Sequence, residues 1–299
     1  NKQLNCTTKP GGFGTDLVLN VTIGGSSKGH GSSGVSTLNY ADPEILSMTT
    51  ADNISLPTGG ATFRNILITG RNLGSQANMV FFGEYGIYNG AGYCAKDCIL
   101  ARIDTNTGTE EVACRSSPGV GTGLRFRLRL LQDGKPKHTY WESGLSGNTL
   151  NYAQPSITRV IPQTDTGFLS TVGGEEIVIE GSSLGAVNPP TMAHCDGSLV
   201  PNGVPSVPPT FTYGAASNFN FEAKNCRVEV DDTRIRCAAS DPGVGARLQA
   251  RITTGFVGHL VEGVVKTGAI SYGAPTISRV SGLGAIGSST AGGDTIEIS

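Results

Sequence analysis

The seven cysteines are the residues with the most chemistry to offer, and their neighbours sort them. Cys98 and Cys114 bracket Ile99-Leu100-Ala101-Arg102-Ile103, the turn Asp104-Thr105-Asn106-Thr107-Gly108, and Glu111-Val112. Cys226 and Cys237 bracket Arg227-Val228-Glu229-Val230, the turn Asp231-Asp232-Thr233, and Arg234-Ile235. Both read as hairpins whose far ends face each other, within the Cα spacing of about 4.4–6.8 Å that a disulfide requires. Closing such a loop is worth about 3 kcal/mol in the chain-entropy model. Cys6 precedes Pro10-Gly11 as Cys114 precedes Pro118-Gly119 and Cys237 precedes Pro242-Gly243, so its expected partner lies upstream of Asn1. Cys94 and Cys195 are unassigned: they pair with one another, pair with another chain or stay free, and spacing does not choose.

Asparagine offers a second chemistry. Asn5-Cys6-Thr7, Asn20-Val21-Thr22 and Asn53-Ile54-Ser55 are N-glycosylation sequons. Two enzyme-like spacings also occur. Gly181-Ser182-Ser183-Leu184-Gly185 fits a nucleophile elbow, which needs a strand-turn-helix to expose its serine. Its counterpart Gly70-Arg71-Asn72-Leu73-Gly74 has no serine, so a structural turn is expected. Gly282-Leu283-Gly284-Ala285-Ile286-Gly287 fits Gly-x-Gly-x-x-Gly but is expected to be a loop between strands, with no helix to meet a phosphate. His30, His138, His194 and His259 stand singly, and His194-Cys195 alone makes no zinc site. Asp231-Asp232 is expected to serve its turn, not calcium. Trp141, near Tyr140 and His138, is expected to cover one end of the fold, a ligand platform being the other reading. No catalytic, cofactor or metal site is expected, only covalent glycans.

Composition narrows the setting. With 299 residues the chain has room for two or three domains, and 43 glycines and 15 prolines disfavour long helices. Its 22 basic against 24 acidic residues leave a net charge of −2, which argues for no nucleic-acid partner. There is no apolar run of 18 residues and no signal peptide at Asn1, so neither a membrane span nor a full precursor is expected. The cysteines and sequons together point outside the cell or to its surface.

The elements that must position these residues recur. Pro43-Glu44-Ile45 leads to Gly59-Gly60 and Ile66-Leu67-Ile68-Thr69-Gly70. Pro155-Ser156-Ile157-Thr158-Arg159-Val160 leads to Gly173-Gly174 and Ile177-Val178-Ile179-Glu180-Gly181. Pro275-Thr276-Ile277-Ser278-Arg279-Val280 leads to Gly292-Gly293 and Ile296-Glu297-Ile298. Thr37-Leu38-Asn39-Tyr40-Ala41 returns as Thr149-Leu150-Asn151-Tyr152-Ala153 and, loosely, as Ile270-Ser271-Tyr272-Gly273-Ala274. Spacings of 112 and 120 residues between Pro43, Pro155 and Pro275 exceed solenoid periods and match whole domains.

Each copy carries an alternating strand. Leu17, Leu19, Val21 and Ile23 share one face, leaving Asn20 outside for a glycan. Leu124-Arg125-Phe126-Arg127-Leu128-Arg129-Leu130 puts three arginines outside, and Leu248-Gln249-Ala250-Arg251-Ile252-Thr253 repeats the pattern. Short alternating segments between Gly/Pro/Asn/Asp turns predict small antiparallel sandwiches with sheets about 10 Å apart. The second complete copy carries an insertion from Asn188-Pro189-Pro190 through Pro201, Pro205, Pro208 and Pro209-Thr210. It reads as an extended surface loop, or as an O-glycan carrier.

The Pro-x-Ile-x-x-Val opening, the Gly-Gly-x-x-Ile-x-Ile-x-Gly-x-x-Leu-Gly core and the Cys-hairpin-Cys-x-x-x-Pro-Gly ending resemble the IPT/TIG domain, over nearly the whole chain. That resemblance implies an all-β fold of tandem immunoglobulin-like (IPT/TIG, E-set) β-sandwiches, as in plexin-type and fibrocystin-type ectodomains, and implies no activity. Residues 1–42 read as the back of one repeat, 43–154 and 155–274 as complete repeats, and 275–299 as the front of another. The expectation is a window of a longer array. Tyr40, Tyr152 and Tyr272, each three residues before a repeat proline, are expected to pack the domain junctions. Those prolines leave no slack, so an elongated rod is expected. The expected function is structural: a glycosylated extracellular fibre, coat or stalk whose partners are its own repeats. An adhesion or receptor ectodomain that binds a protein or glycan is the alternative, and a spacer of a secreted enzyme is the third.

Overall fold

The structure is a computed structural model that describes residues 5–8, 17, 20–23, 26–29, 38–74, 79–88, 91–132, 141–188, 195, 206–216, 218–256 and 259–299. It is all-β. β1 (Asn20–Ile23) and β2 (Ser26–Gly29) form an antiparallel pair. Then come β3 (Glu44–Thr50), β4 (Asn65–Arg71), β5 (Met79–Tyr88), β6 (Ala91–Asp104), β7 (Thr109–Arg115), β8 (Arg125–Gln132) and β9 (Trp141–Glu142). These seven pair antiparallel in the order β3-β4-β7-β6-β5-β8-β9 and are called here the first unit.

Alternation places the core. β4 buries Ile66 and Ile68 and β8 buries Phe126, Leu128 and Leu130, as period-two strands with one dry face must. The long strand β6 belongs to both halves of the sheet, pairing with β5 up to Ala95 and with β7 from Lys96 onward. Between the halves Asp97 takes a positive φ of 50°, which turns the strand's course. The two halves close on one buried cluster, Ile66, Ile68 and Val112 from one side meeting Phe81, Tyr85 and Phe126 from the other.

The second unit comprises β10 (Ser156–Pro162), β11 (Ile177–Ser182), β12 (Ser206–Gly214), β13 (Phe221–Lys224), β14 (Arg227–Val230), β15 (Arg234–Cys237), β16 (Ala239–Ser240), β17 (Leu248–Phe256), β18 (His259–Glu262) and β19 (Lys266–Ile270). Four strands run β10-β11-β15-β14; the other sheet runs β16-β13-β12-β17-β18, with β19 also on β17. Where β6 turns at Asp97, the second unit breaks its strand outright between β13 and β14, at Asn225 with φ 53°. Ala95-Lys96-Asp97-Cys98 and Ala223-Lys224-Asn225-Cys226 are one device used twice. Both sheets enclose a single core that contains Ile177, Ile179, Phe211, Ile235 and Ile252.

Recurrence in sequence is recurrence in geometry. Leu17 bridges Leu38, Leu124 bridges Leu150, and Leu248 pairs with Ile270, all antiparallel. Leu56 bridges Tyr152 in parallel, and Leu169 bridges Tyr272 likewise. In the turns Gly70–Gly74 and Gly181–Gly185, Asn72 and Ser183 both have φ 58°, and Leu73 and Leu184 are fully buried. A methyl on Gly70 or Gly181 would overlap the carbonyl oxygen of Glu44 or Ser156, so only glycine lets the neighbouring strand this close.

Four expectations need correction. Leu283–Gly287 is a short α-helix, α1, not a loop; Ala285 N–H bonds the Gly282 carbonyl at its start, and Gly284 N–H ties it to the Thr295 carbonyl. It lies between β20 (Val280–Ser281) and β21 (Glu297–Ile298). Pro208-Pro209-Thr210 belong to β12 and not to a surface loop, because the ladder to β17 shifts register between Val207 and Thr210 and so asks no N–H of the prolines. Arg129 lies on the outward face but is only 8% exposed, since Glu84 and Glu142 neutralise it there. Tyr152 and Tyr272 lie within the cores of their own units, Tyr152 next to the junction, where its ring and that of Phe256 both meet Tyr93; Tyr40 is half-buried.

Candidate functional site at the junction of the units

The cysteines come first. Cys98 is bonded to Cys114 and Cys226 to Cys237, with Cα spacings of 4.0 and 3.9 Å. Both fall just below the expected range, and each bridge lies next to a directly opposed antiparallel pair, Ile99 with Ala113 and Arg227 with Arg236. Cys94 is bonded to Cys195, 101 residues later, so this bridge joins the two units. Cys6 is exposed and the one free cysteine among the described residues. Three disulfides in one chain mark an oxidising environment. No helix among the described residues is long and apolar enough to cross a membrane.

Behind the bridges lies a hub of phenols. Tyr152 donates to the Ser117 carbonyl at 2.8 Å, its hydroxyl lies 2.8 Å from that of Tyr85, and Ser117 N–H donates to the Tyr85 hydroxyl at 2.8 Å. In the second unit Tyr272 donates to the Asp241 carbonyl at 2.7 Å and lies 3.0 Å from the Tyr213 hydroxyl. Burial pushes Tyr85 up to about 12, the hydrogen bonds from Tyr152 and Ser117 offsetting only part of it. It also raises Tyr93, Tyr152, Tyr213 and Tyr272. These groups stay neutral and tie the end of each unit to β5 and Ser117, or to β12 and Asp241.

The chain passes between the units without slack. Tyr152 N–H bonds the Gly121 carbonyl and Ala153 N–H the Leu56 carbonyl, both in the first unit. One residue on, the Gln154 side chain donates to the Glu262 carbonyl and the Pro155 carbonyl accepts from Val264 N–H, both in the second. Side chains cross as well. The Phe256 ring enters the first core edge-on to Tyr93, with centroids 5.7 Å apart. Asp232, at the tip of the β14–β15 hairpin, accepts from the Thr58 hydroxyl across the junction, while its neighbour Asp231 accepts from Val187 N–H at 2.7 Å within the second unit. A cavity of about 250 Å³ remains between the units, lined by Val120 on one side and Leu184, Val187, Val207, Pro209 and Val228 on the other.

The other candidates are dispersed. Ser182 Oγ lies 2.8 Å from Ser156 Oγ, and Ser183 occupies the left-handed position of the turn. His259 opens β18, whereas His30, His138, His194 and Tyr140 lie outside the described residues. Trp141 is half-buried on edge strand β9 and packs against the first core. No group of three or more His, Cys, Asp or Glu among the described residues is placed to hold a metal. Of the sequons, Asn5 is exposed, Asn20 starts β1 with a side chain outside the description, and Asn53 is exposed on a turn with φ 54°. In the insertion only Cys195 of residues 189–205 is described.

Local pattern does not reveal the Cys94–Cys195 pair or the role of Phe256. The signal present was departure from the repeat: Glu222 and Gln132 stand where Cys94 and Phe256 would be matched in the other unit, and Cys195 lies in the insertion. No family model and no curated protein matches the chain. A solved chain named "BspA_C_WT" aligns with 76% of this chain and 99% of its own length, at 7% identity and a TM-score of 0.19, too remote to carry fold or function across.

Proposed function

We propose that this chain is a segment of a tandem array of IPT/TIG-type, immunoglobulin-like sandwiches, and that the array is an extracellular structural element: a fibre, coat or stalk. Residues 43–154 and 155–274 are its complete repeats, with 1–42 and 275–299 parts of the flanking ones. One observation carries this reading: each residue from Tyr152 to Pro155 is hydrogen-bonded to one unit or the other. A tether made for independent motion would leave such groups to water. Glycans on Asn5, Asn20 and Asn53 fit the same setting.

The reading is tested by electron microscopy of native material. Copies of the chain in filaments or in ordered end-to-end contact support it. Isolated, freely jointed particles overturn it. The adhesion or receptor reading draws support from the apolar cavity between Val120 and Val228, and the same material would then carry a bound partner at that junction.

A further inference from the structure

The inter-unit disulfide differs in kind from the other two. Each of the others has at least one cysteine in a hydrophobic core, Cys114 at 1% exposure and Cys226 and Cys237 at 6% and 0%. Cys94 and Cys195 are both half-buried, in neither core. Strand alternation explains the placement. Tyr93 points inward, where its ring meets Phe256, so the next residue, Cys94, points to the opposite face. Two consecutive residues of the first unit thus grip the second from both sides of one strand.

The outward face is prepared for that grip. Glu84 lies directly across from Cys94 on β5, is only 2% exposed, and is held 3.1 Å from Arg129 Nη1. Its Oε1 accepts the Cys195 N–H at 3.0 Å. A buried carboxylate fixed by arginine cannot turn away, so it presents one acceptor at the spot where Cys195 must dock. The second unit has no such pair: Thr212 and Glu222 stand where Glu84 and Cys94 stand.

We propose that Cys94–Cys195 is a reducible clamp that sets how the second unit sits on the first, and that dithiols open it before either core bridge. Opening transfers two electrons. A dithiol's thiolate attacks one sulfur of the bridge, its second thiol displaces the mixed disulfide, and the products are a cyclic disulfide and two thiols on Cys94 and Cys195. The contacts left across the junction are then non-covalent: Phe256 on Tyr93, Thr58 on Asp232 and Gln154 on the Glu262 carbonyl. The inference concerns how the units are held and stands whether the array is a fibre or a receptor.

The test uses the full chain, with graded dithiothreitol, iodoacetamide trapping and peptide mass spectrometry, and compares the three bridges with one another. The expected result is that Cys94 and Cys195 are alkylated at least about tenfold faster than Cys98, Cys114, Cys226 and Cys237. Trp141 fluorescence and amide protection in β4 and β11 stay unchanged, while small-angle scattering shows a broader spread of inter-unit distances. The Cys94→Ser/Cys195→Ser variant should scatter in the same broadened way without reductant, and Phe256→Ala added to it should broaden the spread further. Equal alkylation rates for the three bridges overturn the proposal. So does unchanged scattering of the reduced chain, which remains decisive if the variant does not fold.

Discussion

The hydroxyls of Tyr85 and Tyr152 lie 2.8 Å apart with the Ser117 carbonyl as their common acceptor, and Tyr213 and Tyr272 repeat the arrangement over the Asp241 carbonyl. Replacing Tyr152 with Phe removes the shorter bond to Ser117 and leaves Tyr85 without its phenolic partner. Tyr152→Phe is expected to lower the stability of the first unit by about 1–3 kcal/mol. Urea titration followed by the fluorescence of Trp141, the only tryptophan, reads that unit. Tyr272→Phe should leave this Trp141 transition in place.

The same phenols set an alkaline limit. The unfolded chain ionises tyrosine near pH 10, whereas burial holds Tyr85 at about 12 in the fold and raises Tyr152 and Tyr213 as well. Their contribution is fully present below about pH 10 and is lost as pH rises through about 12. Absorbance at the phenolate band should therefore rise together with unfolding. Titration of all tyrosines near pH 10 in a chain that stays folded would refute the assignment.

Removing a hairpin disulfide should weaken its own unit. Cys98→Ala/Cys114→Ala closes no loop in the unfolded chain and is expected to cost about 3 kcal/mol. Trp141 fluorescence should then report a lower urea midpoint, while Cys226→Ala/Cys237→Ala should leave that midpoint nearly in place.

Glycines 119 and 243 offer a paired test. A methyl on Gly119 would sit 2.7 Å from the Tyr152 hydroxyl, and one on Gly243 would sit 2.7 Å from the Tyr272 hydroxyl. Either alanine is expected to cost about 1–3 kcal/mol by overpacking. Gly147→Ala, with nothing within 4 Å of the added carbon, is the control and should differ little from the parent in thermal unfolding.

Glycosylation is checked on native material by mass spectrometry. Sugar is expected on Asn20, and on Asn53, whose exposed turn leaves both Asn53 and Ser55 accessible. Ser55→Ala should abolish the second. Bare asparagine at both positions would count against a secreted chain.

The all-β character was legible because alternation in Leu124–Leu130 and Leu248–Thr253 leaves one face for the core, whatever the tertiary context. Cys98 and Cys114 stand level about one turn, so a local hairpin suffices to bring them opposite. Cys94 and Cys195 meet only because two units dock, and no window of neighbouring residues records that. The tyrosines before the prolines misled for a related reason. Their place three residues before a repeat proline suggests a boundary, yet their hydroxyls reach the carbonyls of Ser117 and Asp241, which stand just before the recurring Pro-Gly pairs and come within reach only when the unit folds. The helix at Leu283–Gly287 was hidden by its glycines, which weaken helical propensity while freeing the backbone to make one turn.

The parallel bridges at Leu56–Tyr152 and Leu169–Tyr272 have a mechanical consequence. In each unit they tie a segment near its start to the strand that leaves it, through two hydrogen bonds: Leu56 N–H to Asn151 and Ala153 N–H to Leu56, or Leu169 N–H to Ser271 and Gly273 N–H to Leu169. Tension applied along the chain would slide these segments past one another, so both bonds must rupture at once instead of peeling open in turn. A string of such units would resist stretching as a series of small shear locks.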